Sequence, residues 1–358
     1  MTNGPGSHNG VIRRLSTDEI RLLSILGRLA KMDRALDREN IIYLIDRKIP
    51  SLSSHWQRSA RTLTVKGIVR GEDRAGALRL SLTPLGEQCA DWVERQKCLT
   101  IHFHNEFYRR AERSKAHSEF CTRVYGKDLC QHGMSDMNQI QKLLAAARLG
   151  PASRVLELGC GNGLITEYVS DTTGAHVTGV DIAYDAIERA NERTLAKRSR
   201  LAFQVHDMDS LNLGGYQFDA IVCIDSLYFS RALEDVMKTL RGALKLYGRM
   251  FLFYHFAPDT PVSPGMSPAG PAISPEGCSP LAGVLEKLGL YYTALDFTRE
   301  NSLHWAAKER VLRDLAPAFE AEGNMFLFNS RMDECEGRFG SWYRYLYEVA
   351  VQARNSMA

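Results

Sequence analysis

Residues 153–180 read SRVLELGCGNGLITEYVSDTTGAHVTGV, and Asp181 follows directly. Arg154 to Leu158 is a short apolar run suited to a buried parallel strand. It breaks into Gly159-Cys160-Gly161-Asn162-Gly163, a loop too rich in glycine for ordinary connecting work. The spacing of Leu164, Ile165, Tyr168 and Val169 predicts a helix, and the β-rich run His176 to Val180 predicts a second strand ending at Asp181. Strand, glycine turn, helix, strand and acid together make a nucleotide-type βαβ unit.

The details narrow the nucleotide. A dinucleotide site closes its motif with G-x-x-G and offers a helix N-terminus to a pyrophosphate. Here the glycines run G-x-G-x-G, Leu164 stands where that last glycine belongs, and Glu157 precedes the loop. A carboxylate beside the loop repels a pyrophosphate and suits a cationic ligand. Asp181, at the end of the second strand, can accept both hydroxyls of a ribose.

At this point the chain resembles the class I S-adenosylmethionine-dependent methyltransferases, whose first motif ELGCGNG fits closely. Three further stations follow in register. After the β-like run Leu201 to Val205 comes His206-Asp207-Met208-Asp209, similar to the segment that carries the family's adenine-contacting acid. Phe218-Asp219-Ala220-Ile221-Val222-Cys223-Ile224-Asp225 resembles the fourth-strand motif. Leu240 to Phe256 resembles the following helix, turn and fifth strand. The resemblance covers roughly Tyr125 to Phe256. It implies a Rossmann-like α/β sheet of seven strands, the last antiparallel, over residues 151–358. It also implies S-adenosylmethionine as cofactor and S-adenosylhomocysteine as product. The cofactor residues it points to are Glu157, Gly159, Cys160, Gly161, Asn162, Gly163, Asp181, Ile182, Asp207, Met208, Asp209, Ile224 and Asp225.

Residues 99–150 read as a helical linker and lid. In related methyltransferases the segment before the first strand folds over the cofactor, and Tyr125, Gln131, His132 and Gly133 occupy the corresponding places. Tyr125 and Gln131 are therefore expected at the cofactor, and His132 as a base for the acceptor. Strand C-termini hold the ligands of open α/β sheets, which adds Tyr228 as an acceptor contact. Tyr254 and His255 end the fifth strand on the same rim. Phe103, Phe107 and Tyr108 recur at helical spacing and read as core.

Composition sets outer bounds. The chain has 358 residues, 44% of them hydrophobic, and a net charge of +3. This is room for two domains and a sizeable core. No apolar run approaches the ~20 residues of a membrane span. Residues 1–10, MTNGPGSHNG, lack the blocks of a secretory signal and read as a flexible leader. The eight cysteines are scattered without a C-x-x-C pair, which fits free thiols in a reducing cytoplasm. Cys98 with His102 and His104, His117 with Cys121, and Cys130 with His132 lack four-ligand spacing, so no metal is expected.

Residues 11–98 predict helix, helix, helix, a two-stranded hairpin and a further helix. KGIVRGEDRAGALRLSLTPLGE resembles the wing region of MarR-type winged-helix domains. Residues 1–100 hold 17 Lys and Arg against 11 Asp and Glu, a balance of +6. Arg58, Arg61 and Arg74 could face phosphates, whereas Glu72 and Asp73 at the wing tip would repel them. In related small-molecule methyltransferases such a domain dimerises and walls the acceptor pocket, and that use is expected here: a homodimer, with nucleic acid and membrane set aside as partners. Ala257 to Pro280 carries seven of the twelve prolines and reads as a flap over the acceptor. Beyond it a helix over Leu281–Leu288, a strand over Tyr291–Phe297 and a helix over Ser302–Glu322 interrupted at Pro317 are expected. Met325–Glu336 is expected to lie over the pocket, and Ser341–Val351 to form the antiparallel edge strand.

The function expected is methyl transfer to a small biosynthetic metabolite by in-line attack on the sulfonium methyl. Nitrogen, oxygen and carbon acceptors all stay open. Two alternatives stand beside it: a winged-helix DNA-binding regulator whose second domain senses the cofactor, and a nucleic-acid methyltransferase. Against the latter, IDSLYF follows the fourth strand where exocyclic-amine enzymes carry an N-P-P-Y-like motif.

Overall fold

A computed structural model describes residues 8–74, 77–257, 278–336 and 342–351. The chain divides into two compact units, Met1–Phe107 and Tyr108–Ala358. The expected flap over 257–280 falls almost wholly outside the described residues, as do residues 1–7 of the expected leader. From His8 the chain is already helical, which shortens that leader.

In the first unit, α1 (His8–Ile12), α2 (Thr17–Lys31), α3 (Arg38–Lys48) and α4 (Trp56–Val65) precede the hairpin β1 (Val69–Arg74) and β2 (Ala77–Leu82), and α5 (Pro84–Arg95) follows. Ser16 and Glu19 close a reciprocal capping box at the start of α2, which satisfies two otherwise orphaned N–H groups. The single helix expected over 51–66 is split. A 3₁₀ turn at Pro50–Leu52 comes first, because Pro50 pre-sets a turn, and the α-helix begins only at Trp56. Buried Leu22, Ile25, Leu26, Ile45, Trp56 and Leu63 share one core.

The second unit starts within α6 (Cys98–Ala111) and continues through α7 (Lys115–Tyr125) and α8 (Met137–Ala147). An alternating run follows: β3 (Arg154–Leu158), α9 (Leu164–Thr173), β4 (His176–Asp181), α10 (Tyr184–Arg193), β5 (Leu201–Val205), β6 (Phe218–Cys223), α11 (Leu233–Gly242) and β7 (Leu244–Phe256). The chain closes with α12 (Pro280–Lys287), β8 (Tyr291–Asp296), α13 (Thr298–Ala321), α14 (Met325–Glu336) and β9 (Tyr343–Ala350). The segment set aside as linker and lid thus belongs mostly to this unit.

The strand order is β5-β4-β3-β6-β7-β9-β8. β3 through β7 are parallel, and β9 runs antiparallel to both β7 and β8. This is the expected Rossmann-like sheet of seven strands, with one correction. β9 is not the edge: its aromatic, apolar run is buried on both faces between β7 and β8, and the more polar and exposed β8 takes the edge. A second correction concerns Pro317, which α13 carries without a break. The chain steps outward from β3 through β4 to β5 and then returns to lay β6 beside β3. Loops leaving β3 and β6 therefore diverge, and a crevice opens at their C-terminal ends.

Candidate functional site

The crevice begins where β3 ends. Gly159, Gly161 and Gly163 adopt φ of +74°, +56° and +76°, the left-handed region that side chains resist. Space is closed as well. A Cβ on Gly159 would lie 2.1 Å from Ser226 Oγ, and one on Gly161 would lie 2.2 Å from the Tyr108 hydroxyl. The loop turns under Asp181, whose Oδ2 accepts from the Gly161 amide at 2.9 Å and whose Oδ1 accepts from the Ala183 amide at 2.8 Å. A carboxylate offers about four lone-pair sites, so Asp181 keeps acceptor capacity while it fixes the turn.

Glu157 sits below this elbow and is 2% exposed. Burial pushes its carboxyl up to about 7; the nearby Thr166 hydroxyl pulls it down, and Asp181 pushes it further up. Its Oε2 has no hydrogen-bond partner among the described residues. A buried acceptor left unpaired is costly, and a cationic or ammonium-bearing ligand is the group that would relieve it.

Other expected cofactor residues are gathered here with different duties. Cys160 is buried in the loop, and burial pushes its thiol well above the ordinary value, so it packs and does not react. Asn162 turns its amide toward Glu112 Oε1 at 3.2 Å, and Glu112 also holds Arg189. Asp207 caps the 3₁₀ turn Met208–Ser210, and Met208 packs on the main core. Ile182 is half-buried beside Asp181, and Ile224 is buried in the core on the other face of the sheet. Asp209 lies at the same turn, but its carboxylate receives Ser230 Oγ at 2.6 Å and the Arg231 amide. It braces the loop after β6.

Asp225 departs furthest from expectation. Its carboxylate faces inward, with the Arg344 guanidinium 2.5 Å from Oδ1. Oδ2 accepts from the Met134 and Ser135 amides at 2.7 and 2.8 Å and from Ser135 Oγ at 2.9 Å. Burial works to raise this carboxyl, yet Arg344, His255 and these donors outweigh it and hold it at about 2. Asp225 therefore ties the Met134–Ser135 segment to the end of β6 and to β9. The left-handed φ of +59° at Asp225 turns its side chain to that task.

The segment between α7 and α8, expected to act as a lid, is held by hydrogen bonds from the residues expected to touch the cofactor. Tyr125 donates to the Gly133 carbonyl at 2.8 Å. Gln131 accepts from the Leu129 amide and donates to the Lys127 carbonyl. From α14 the wholly buried Arg331 donates to the His132 carbonyl at 2.9 Å and to the Gln131 carbonyl. His132 points its Nε2 toward Glu334 Oε1 at 3.5 Å, and its ring meets Tyr108 edge-on at 6.3 Å. Across the crevice Tyr228 lies half-buried with its ring 4.0 Å from that of His255. Burial, with Asp225 next, pushes the Tyr228 phenol well above its usual range, which keeps it a neutral donor. Burial likewise depresses His255 to about 3, so that imidazole stays neutral and serves packing.

Tyr108, Glu112 and Arg344 are the residues the sequence reading missed here, and Arg331 and Glu334 lie in the segment it expected over the pocket without assigning them a role. Tyr108 was placed in a core stripe, and it is buried, but the face it buries is the glycine loop. For Arg344 the signal was available: an arginine inside the apolar strand pattern YRYLYEVA is affordable only beside a buried acid.

Part of the chain is similar to known methyltransferases. Residues 155–248 match the family model of a methyltransferase domain. The ubiquinone biosynthesis O-methyltransferase of Xanthomonas axonopodis pv. citri (strain 306) is 29% identical over 132 residues, which cover 36% of this chain and 55% of that one. Phosphoethanolamine N-methyltransferase 1 of Zea mays is 26% identical over 132 residues, 36% of this chain and 26% of that one. The chain thus spans about half the length, or less, of the curated relatives it matches. Among solved structures, Haemonchus contortus phosphoethanolamine N-methyltransferase 2 in complex with S-adenosyl-L-methionine superposes with a TM-score of 0.55 at 12% identity, covering 84% of this chain and 75% of that one. That likeness speaks for the fold. The stretch that matches the methyltransferase-domain model, residues 155–248, runs from β3 and the glycine elbow through α11 into β7 of this sheet.

Proposed function

We propose that the protein transfers a methyl group from S-adenosylmethionine to a small-molecule acceptor. The observation that carries this reading is the buried Glu157 carboxyl, whose Oε2 has no hydrogen-bond partner among the described residues, beneath a glycine elbow closed by Asp181. Glu157 would face the cofactor's positive charge, Asp181 its ribose, and the Asp207–Met208 turn its base. S-adenosylmethionine supplies an already activated methyl, so the chain's task is alignment in a dry site. The lid, clasped by Asp225, Arg344 and Arg331, excludes water. His132 and Tyr228 flank the space left for the acceptor, His132 to take a proton and Tyr228 to donate a hydrogen bond. The residues present thus fit this cofactor and leave its diphosphate-bearing competitors opposed by Glu157.

Met1–Phe107 we read as winged-helix-like from its helices, hairpin and closing helix, with dimerisation as its use. No described helix is long and apolar enough to cross a membrane.

Replacing Asp181 tests the cofactor assignment. In calorimetric titration with S-adenosylmethionine, Asp181→Ala should lose measurable binding while the chain stays folded. Unchanged affinity would remove Asp181 from the ribose site and with it the reading of the elbow.

A further inference from the structure

Beyond the methyl-transfer reading, and resting on it, the helices inserted between β8 and β9 present a carboxylate to the lid. Glu334 on α14 approaches His132 Nε2 at 3.5 Å through Oε1. Its other oxygen binds the Lys308 ammonium at 2.6 Å, and Lys308 is wholly buried on α13. Arg331, one turn before Glu334, lies 3.3 Å from Oε1 and grips the Gln131 and His132 carbonyls. Two buried cations thus fix one carboxylate, and one of them also fixes the backbone of the histidine that the carboxylate faces. Also near His132 are Tyr108, whose ring packs edge-on from α6, and His117 behind Arg331. Burial, then Arg331, pushes His117 well below its ordinary value, so it stays neutral and adds no charge.

We propose that Glu334 is a positioning residue for His132. It holds the imidazole with Nε2 toward α14 and leaves Nδ1 as the basic nitrogen for an acceptor that must lose a proton on methylation. A hydroxyl meets this condition, and so does an alkylamine, which is an ammonium at neutral pH. The acceptor's proton passes to His132, the freed lone pair bonds to the methyl carbon, the C–S bonding pair stays on sulfur, and the imidazolium then returns its proton to solvent. The carboxylate stabilises that imidazolium across 3.5 Å, the arrangement in which an acid partner raises the basicity of a histidine.

The experiment is a pH titration of the full-length chain labelled with 13C-histidine, with the His132 signal identified by its loss in His132→Gln. Glu334→Gln should lower the His132 midpoint by about one pH unit, and Glu334→Asp should fall between the two. The Asp variant also supplies the result if the Gln variant does not fold. An unmoved midpoint overturns the proposal. In parallel, a catechol and N-methylethanolamine are offered together with methyl-labelled S-adenosylmethionine. Label in either acceptor, reduced roughly tenfold or more by Glu334→Gln, supports it. Label transferred at a rate the variant leaves unchanged overturns it. Failure of the chain to bind S-adenosylmethionine at all would instead strike the methyl-transfer reading, so the two failures are distinguishable.

Discussion

Replacing Arg344 by leucine should cost more stability than any surface change in this protein. Arg344 is fully buried, and it spends its guanidinium on Asp225 Oδ1 at 2.5 Å, Ser135 Oγ at 2.6 Å and Gln139 Oε1 at 3.0 Å. Removing it strands a buried carboxylate, a loss of about 3–5 kcal/mol. The carboxyl itself gives an independent measure. Asp225 is held at about 2 against an ordinary 3.8, and at about 1.4 kcal/mol per pH unit this is roughly 2–3 kcal/mol of stabilisation. Because the folded value is depressed, that stabilisation is present above pH 4 and is lost as pH falls from about 4 toward 2. The two magnitudes agree on a loss of several kcal/mol. At 2–4 °C per kcal/mol for a unit of this size, the melting transition should fall by roughly 6–20 °C at pH 7. Scanning calorimetry on the full chain, following the transition of the second unit, measures it. Asp225→Asn combined with Arg344→Leu should recover part of the loss, since the asparagine oxygen still accepts from the lid amides while no charge is stranded. A single variant that melts within 2 °C of the parent, a figure of about 1 kcal/mol, would refute this role for Arg344, as would a double variant no more stable than the single one.

The other predictions concern the crevice. Gly161→Ala meets both a φ of +56° and a Tyr108 hydroxyl 2.2 Å from the new Cβ; cofactor affinity measured by calorimetry should drop at least tenfold, and near-parental binding would contradict the packing described for the elbow. With Glu157 raised to about 7 in the free protein, a cationic ligand must displace a proton below that pH. Affinity for S-adenosylmethionine should therefore fall up to tenfold per unit as pH drops from 7 to 6, and stay level above 7. Glu157→Gln should flatten this dependence, and a pH-independent affinity in the parent chain would remove Glu157 from the cation site.

Much of this architecture was legible because its signals are local. The apolar run before Gly159, the helical spacing after Gly163 and the acid at Asp181 each follow from a few adjacent residues, and β3, α9 and β4 appear where they point. The glycine elbow and Asp181, the residues proposed to hold the cofactor, lie in the same local stretch. What stayed hidden depends on contacts across long stretches of chain. Asp225 reads as a rim acid until Arg344, brought alongside by β9, consumes it. Tyr125 and Gln131 read as ligand contacts, but their hydrogen bonds hold the segment between α7 and α8. The place of β9 inside the sheet follows from which of two strands buries both faces, a comparison that needs β7 as partner.

Calorimetric titration of the purified chain with S-adenosylmethionine, S-adenosylhomocysteine and a nicotinamide dinucleotide tests the central claim most directly. The geometry at Glu157 and Asp181 predicts saturable binding of both sulfur nucleotides and no heat from the dinucleotide. Firm binding of the dinucleotide, with both sulfur compounds ignored, would contradict it.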